Sequence, residues 1–336
     1  MTHAEDAVAR LGLGYLDFLD QRDEPARGNL ELAAQANPND AQPQKLLGLI
    51  EYRKGEIAAA VARMERAAAL DRQDREAEAL KSAWQREERL SKGWGESSSR
   101  RFRVRFGRDI QEQSVREILQ ALDAIHESIG RSLGHWPRRT IPVILLPEKD
   151  FYALTGSFHW VGGVYDGQIK VPLQTADMLP GADRREMQRT LRHEFAHAVV
   201  KELCPGCPNW LNEGIAQHFE IDDGGNGSPP GSEATEARET RRRKLDDELR
   251  LHRDRKIPFE RVPIRLSEIT DQSTARWTYL QGLGFTTFLV DRHQAFRLRL
   301  LLASLRQEGS LVKAFETTYG ASLSDLERDW WRSLEP

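Results

Sequence analysis

Apolar residues recur along this chain in two rhythms, and the change between them divides it. The first ninety residues are rich in alanine, leucine and paired charges. At 101–106 strict alternation begins: RFRVRF puts apolar and basic residues on opposite faces and predicts a half-exposed strand. Val115, Ile118, Leu122, Ile125 and Ile129 then fall on one stripe of a helix over roughly 110–134. IPVILL (141–146) predicts a buried strand, and GGVYDGQIKVPL (162–173) a strand opened by two glycines. His126 and His135, on or just after the long helix, read as surface or packing residues.

A second strong helix is predicted over 183–203. Asp183 with Glu186 makes an acidic capping box, and Met187, Leu191, Phe195 and Val199 form its core stripe. PNWLNEGIAQHFE (208–220) reads as a turn and a helix that buries Trp210, Leu211, Ile215 and Phe219 and points Glu213 the other way. Residues 222–256 look like an insertion, with a flexible loop (DDGGNGSPPGS) followed by a helix carrying both signs of charge. Its RRRK run reads as a solvated face, with a lid over a cleft as the sharper alternative. WTYLQGLGFTTFLVDRH (277–293) and the segments after it are helical and complete the core.

The first ninety residues repeat. At an offset of 34, Leu13 meets Leu47, Gly14 meets Gly48, Phe18 meets Tyr52, Ala26 meets Ala60, Leu30 meets Met64 and Ala33 meets Ala67. Small residues where two helices must approach, at this period, resemble the tetratricopeptide family, with two antiparallel helices per repeat. Arg72 stands where the first copy has the repeat-ending Pro38. Residues 75–92 continue as one charged helix, a solubilising cap. Ser91–Arg100, with two glycines and four serines, reads as a linker in which Trp94 is a packing anchor. Two repeats suit either a groove for a protein partner or support for the neighbouring domain. No candidate site residue precedes the linker, so a chain starting near Arg100 is expected to keep the site.

Composition excludes more than it selects. With 49 basic and 52 acidic side chains the net charge is −3, which argues against nucleic acid or an anionic membrane as partner. No apolar run is long enough for a membrane helix, and the first residues lack the basic head and apolar stretch of a signal peptide. A cytoplasmic chain is expected as written, or a periplasmic or secreted one if a signal segment has been removed. Cys204 and Cys207, the two cysteines, lie in CPGCP and read either as a redox-sensitive clip or as incidental thiols in a turn.

Chemistry concentrates in HEFAH. His193 and His197 are four apart and begin two positions after Leu191. Two positions are about 200° of helical rotation, so the imidazoles leave the core stripe and project together from the other side, one turn apart. That spacing lets two neutral imidazoles hold one zinc ion, with Glu194 beside its open position as general base. A carboxylate from the next helix completes a His₂Glu set, and Glu213 and Glu220 are the rivals for it. His218 is a further candidate, for stabilising an oxyanion or orienting substrate, or simply for packing. Asn212 reads more safely as a helix cap than as a cleft residue.

HEFAH together with WLNEG resembles the gluzincins, specifically the peptidase MA-like group related to thermolysin and aminopeptidase N, over roughly residues 100–336. The resemblance implies an α+β chain: tetratricopeptide helices over 1–92, a linker at 93–100, and a thermolysin-like zincin domain over 101–336. That domain would have a small mixed sheet packed on the HExxH helix and then a mainly helical part. It implies one Zn²⁺ per chain on His193, His197 and Glu213, catalysis by Glu194, and a tyrosine from a later helix as oxyanion donor, for which Tyr279 is the choice. The strand over 162–171 would be the sheet edge on which an extended peptide adds. The stretch that holds a free amino terminus in aminopeptidase N has no counterpart in GGVYDGQIK, so an endopeptidase is expected. The alternative is a scaffold of zincin fold whose repeats bind a partner protein.

Overall fold

The computed structural model describes residues 3–155, 163–173, 181–221, 233–263 and 271–335. The protein is α+β and mainly helical: among the described residues, fourteen α-helices accompany one five-stranded mixed sheet. They fall into two compact units, residues 1–120 with 139–179, and residues 121–138 with 180–336.

Five helices open the first unit: α1 (His3–Leu19), α2 (Asp23–Ala36), α3 (Ala41–Arg53), α4 (Ile57–Leu70) and α5 (Arg75–Leu90). Each packs on the next. Positions matched at the offset of 34 do matching work. A Cβ on Gly14 would lie 2.7 Å from Leu30 Cγ, and one on Gly48 would lie 3.4 Å from Met64 Cε. Both glycines therefore sit where a helix meets the large apolar residue of the next. Ala26, Ala60, Ala33 and Ala67 are all buried at these crossings. Asp40 and Asp74 cap α3 and α5 by accepting from the N–H groups of Gln42 and Ala77.

The sheet comprises β1 (Gly95–Ser98), β2 (Phe102–Phe106), β3 (Ile141–Pro147), β4 (Val164–Tyr165) and β5 (Ile169–Leu173), in the order β1-β2-β3-β5-β4. The inner three are parallel, and the edge strands run antiparallel to their neighbours. Residues 95–98, which composition assigns to a linker, are thus a strand. GESS has no apolar alternation to announce it; its pairing rests on the ladder with β2, and a Cβ on Gly95 would lie 2.5 Å from the Phe106 ring. The stretch 162–173 is a hairpin rather than one strand, turning at Asp166–Gly167 with Gly167 at φ +112°. Asp-Gly is a hairpin signal that outweighs the apolar pattern around it. Gly162 lies outside the described residues. Because β4 pairs with β5, the edge is a two-residue strand, which offers a peptide little ladder to extend. A short helix, α7 (Glu148–Thr155), follows β3 and packs Phe151 and Leu154 on Ile144 and Leu146, with Trp94 alongside.

A buried ionic cluster ties the helices to this sheet. Lys170 on β5 donates to Asp166 at 2.6 Å and to Tyr52 Oη on α3 at 2.5 Å, and lies 3.0 Å from Glu87 on α5. Tyr52 in turn donates to Glu87 at 2.9 Å and stacks on Trp84. Burial alone would lower the lysine's pKa, but Asp166 and Glu87 hold it above its usual value, so it stays charged. Arg103 and Arg139 add to the tie by donating to the carbonyls of Lys54 and Arg53 at the C-terminal end of α3. Helices and sheet are consequently one folding problem, and the separability expected from the linker does not extend to the sheet.

The long helix α6 (Glu112–Leu133) buries all five residues of its predicted stripe. The second unit continues with α8 (Gly181–Leu203), α9 (Asn209–Ile221), α10 (Glu233–Leu251), α11 (Gln272–His293), α12 (Phe296–Glu308), α13 (Leu311–Tyr319) and α14 (Leu323–Ser333). Helix α8 starts two residues before the expected cap; the Asp183 side chain lies outside the description, as does the loop 222–232. Trp210, Phe259, Phe285 and Trp330 form the aromatic centre of this unit, with Trp210 and Phe259 stacked at 3.9 Å. Helix α10 packs on α11, with Leu249 against Gly284, and Arg242 of the RRRK run pairs with Asp291 at 2.6 Å. His126 is buried beside Phe195, and His135 pairs with Glu202, so both are packing residues. No helix among the described residues is long and apolar enough to cross a membrane.

Lys170→Met should cost about 3–5 kcal/mol in denaturant unfolding, because Glu87 is then a buried charge without a counter-ion. Glu87→Gln should cost clearly less, since Asp166 still balances the lysine. A chain starting near Arg100 loses Tyr52 and Glu87 together, and it should be recovered unfolded or aggregated, as read by circular dichroism.

Candidate metal centre

Helices α8 and α9 lie against each other, joined by the CPGCP turn in which the Cys207 N–H donates to the Cys204 carbonyl at 3.0 Å. Both cysteines are free in this structure, and burial raises the pKa of each thiol. Leu191, Phe195 and Val199 bury one side of α8 as the stripe predicts. The opposite side is covered by α9, so the imidazoles face a second helix.

Three side chains converge there. His193 Nε2 and His197 Nε2 are 3.0 Å apart, and each lies 3.7 Å from a different oxygen of Glu213. Their ligand atoms all fall within 4.8 Å of one another, and among the described residues this is the one such group of three. With zinc–ligand bonds of about 2.0–2.2 Å in a tetrahedron, neighbouring ligand atoms stand about 3.3–3.5 Å apart. The observed separations bracket that value. The three side chains retain between 11% and 23% exposure, so the point they face is reachable from solvent.

The outer nitrogens decide what the inner ones can do. His193 Nδ1 lies 3.0 Å from Glu220 Oε2, and His197 Nδ1 lies 3.0 Å from Asn212 Oδ1. With Nδ1 donating to each outer oxygen, the tautomer that ligation needs would leave both Nε2 lone pairs facing inward. Glu220 thus lies on the outer nitrogen of His193, away from the point that the two Nε2 atoms and Glu213 face. It stands behind His193 and is itself held by Arg189 at 2.9 Å. Asn212 is the fourth residue of α9 and a partner of His197 rather than a helix cap. Neither role is written in the HExxH pattern; the seven-residue spacing from Glu213 to Glu220, two helical turns, is the signal that puts both on one face.

Charge also fits a cation. Glu194 is buried at the start of the His193–His197 turn, so three carboxylates surround the two imidazoles. Burial pulls His193 down, but its bond to Glu220 and the charges of Glu194, Glu213 and Glu220 outweigh that and lift it to about 9. His197 is held below its usual value, by burial first and by the charge on His193 as well. One proton shared among two imidazoles and three acids leaves negative charge in excess, which a divalent ion would neutralise.

Helix α11 closes the other side of α9. A Cβ on Gly214 would lie 2.5 Å from the Gly282 carbonyl oxygen, and one on Gly282 2.5 Å from that of Trp210. The backbones meet at two glycines, one adjacent to Glu213 and the other one turn from Tyr279. Burial, and then the charge on Glu213, push the Tyr279 hydroxyl up to about 12, so it stays a proton donor near the ligand cluster. His218 is buried and turned elsewhere, with Nδ1 3.2 Å from Thr287 Oγ1 on α11. Its place five residues after Glu213 is about 140° around the helix. The oxyanion or substrate role considered for it is thus not supported, and packing accounts for it.

Behind α9, Phe259 is fixed by its stack on Trp210 and by Glu327, which accepts its N–H at 3.0 Å. Gln281 grips the N–H and carbonyl of Ile257 in the same segment, at 2.9 Å each.

No protein-family model matches this chain, and no curated protein matches it.

Gly282→Ala should separate α9 from α11 and lower stability by about 1–3 kcal/mol, with a fall in metal affinity measured by competition with a chelator. Burial lifts Glu327 to about 7. The folded chain therefore keeps that proton between pH 4.5 and 7 where the unfolded chain releases it. Stability from this group is full below the unfolded value and is lost as pH rises through 7. Glu327→Gln should raise Tm by a few degrees at pH 8 relative to the unmodified chain and leave it unchanged at pH 4.

Proposed function

We propose that this protein is a zinc-dependent peptidase of the gluzincin type, acting on a peptide or protein substrate as an endopeptidase. His193, His197 and Glu213 would hold one zinc ion. The observation that carries the reading is that both imidazoles spend their Nδ1 protons on Glu220 and Asn212, so that both Nε2 atoms and a Glu213 carboxylate face one point. Helices α1–α5 are read as a tetratricopeptide pair with a closing helix, which supports the sheet and offers a surface to a protein partner.

Zinc bound at such a site supplies a Lewis acid for the scissile carbonyl and brings the pKa of water towards neutrality. The remaining work belongs to side chains. Glu194, adjacent to the first ligand and buried, takes the proton of the attacking water and returns it to the leaving amine. Tyr279, whose raised pKa keeps its hydroxyl protonated, donates to the oxyanion as charge develops. Glu220 and Asn212 hold the imidazoles in the tautomer and orientation that ligation needs. The bond to His193 first, and Arg189 as well, hold the Glu220 carboxyl below its usual pKa against burial, and Arg189 fixes its position.

Metal analysis of the purified chain should give one zinc per molecule, lost in His193→Ala and His197→Ala and kept in Glu194→Gln. The last variant should cleave a peptide library on the order of 10²–10⁴ times more slowly than the unmodified chain. Absence of zinc, or undiminished cleavage by Glu194→Gln, would sink the assignment. Tyr279→Phe should lower kcat on the order of 10²-fold with KM little changed, while His218→Gln leaves the rate near normal.

A further inference from the structure

Two arginines of α8 hold the last turn of α9. Arg189 Nη2 donates to the Glu220 carboxylate at 2.9 Å, and Arg192 Nε donates to the Phe219 carbonyl at 2.9 Å. They stand three residues apart on α8 and take consecutive residues of α9, one by its side chain and one by its backbone. The bond to Phe219 is buried, with Arg192 6% exposed. Phe219 lies among the last four residues of α9, whose carbonyls have no partner inside the helix. A guanidinium there also meets the negative end of the helix dipole. Arg192 Nη2 reaches Ser128 Oγ on α6 at 3.5 Å, so one planar group spans α6, α8 and α9.

The chain neighbours of this bond belong to the site. Arg192 precedes His193, and Phe219 precedes Glu220, which lies 3.0 Å from His193 Nδ1. The close approach of Gly214 to Gly282 fixes the middle of α9, about 7.5 Å along the axis before Phe219. On its other side the last turn meets α11, where His218 Nδ1 lies 3.2 Å from Thr287 Oγ1. That turn is thus drawn towards α8 and α11 at once, and the Arg192 bond sets how close it comes to His193. We propose that Arg192 is a positioning residue of the metal centre: by holding the Phe219 carbonyl it sets Glu220 on His193. The consequence for zinc rests on the reading given above, whereas the hold on Glu220 does not.

Charge alone makes the opposite forecast. A guanidinium near a dication repels it, so a residue acting only through its field would strengthen zinc binding when removed. Losing the partner behind a ligating histidine instead weakens metal binding on the order of 10–100-fold.

In the full chain, competition with a chelator should show zinc affinity falling on the order of 10-fold in Arg192→Gln and 10–100-fold in Glu220→Gln. The double variant should lie within about 2-fold of Glu220→Gln alone, since Arg192 then has nothing left to position. Arg192→Lys keeps the charge without the fork and should fall between the unmodified chain and Arg192→Gln; it carries the same cycle if Arg192→Gln does not fold. In the metal-free chain the Nδ1 proton of His193, followed by NMR, should exchange with water faster in Arg192→Gln. That measurement needs no zinc: a chain that binds none ends the peptidase reading, and proton exchange then decides the role of Arg192 by itself. Unchanged exchange overturns the proposal, as does unchanged or tighter zinc binding in Arg192→Gln. A double variant that loses the full factor of both single changes also overturns it, because a general loss of stability acts in that way.

Discussion

Helix α9 has to satisfy two neighbours at once, and the arrangement of the second unit follows from that constraint. Towards α8 it turns Asn212, Glu213 and Glu220, which meet His193 and His197. Towards α11 it turns Gly214, close enough to Gly282 that neither position tolerates a side chain. Thirteen residues cannot shift towards one partner without leaving the other. A slide of one residue along the axis would turn Glu213 by about 100° and also drive a side chain into the α11 backbone. Steric exclusion on one face therefore fixes the electrostatics on the other. The aromatic stack behind Trp210 holds the helix from a third side.

The two units use buried charge in opposite ways. Around Lys170 every strong group is answered within the protein: the ammonium meets two carboxylates and a phenol, and the phenol meets a carboxylate of its own. Glu87 Oε1 is left without a hydrogen-bond partner, yet the network specifies how α3, α5 and the hairpin fit together. Around His193 and His197 the outer nitrogens meet Glu220 and Asn212, and the inner ones face each other at 3.0 Å. The inner nitrogens and the Glu213 oxygens are all acceptors once the Nδ1 protons are committed, and acceptors facing one another repel. Burial lowers His193, but its bond to Glu220 first, and then the charges of Glu194, Glu213 and Glu220, lift it to about 9. The first cluster is accounted for by folding, whereas the second gathers two imidazoles and a carboxylate about one point.

What could be read from the chain divides by the range of the interaction. Helices with sustained stripes, such as α6, α8 and α9, are written in local periodicity and lie within a few residues of their expected bounds. The His193, His197 and Glu213 grouping was legible because the helical period alone brings the two imidazoles together, and the WLNEG motif supplies the carboxylate. The roles of Glu220 and Asn212 were not, since both depend on how α9 is rotated against α8. Strand β1 escaped for the same reason: Gly95–Ser98 has no pattern of its own and becomes a strand through its neighbour. The hairpin at Asp166–Gly167 was legible and overlooked, the apolar residues on either side having taken precedence over the turn. His218 misled because a histidine near a metal motif invites a chemical role, while its angle around α9 directs it to Thr287.

Internal repetition carries a further lesson about what sequence can specify. Gly14 and Gly48 do the same job, as do the alanines at 26, 60, 33 and 67, because the contacts they make lie inside each repeat or between one repeat and the next. Leu13 and Leu47 are the same residue at equivalent positions, yet one is half exposed and the other fully buried. Their difference lies in the neighbour, since α3 has α2 to pack on and α1 has no preceding helix among the described residues. A helix face that is only solvated carries polar residues, as capping helices do. Helix α5, at the other end of the helices, has that character: it is strongly charged and buries few residues. The two ends of one helical array thus differ in kind. Repetition thus sets which residues recur, while the neighbour each helix meets sets which of them are buried.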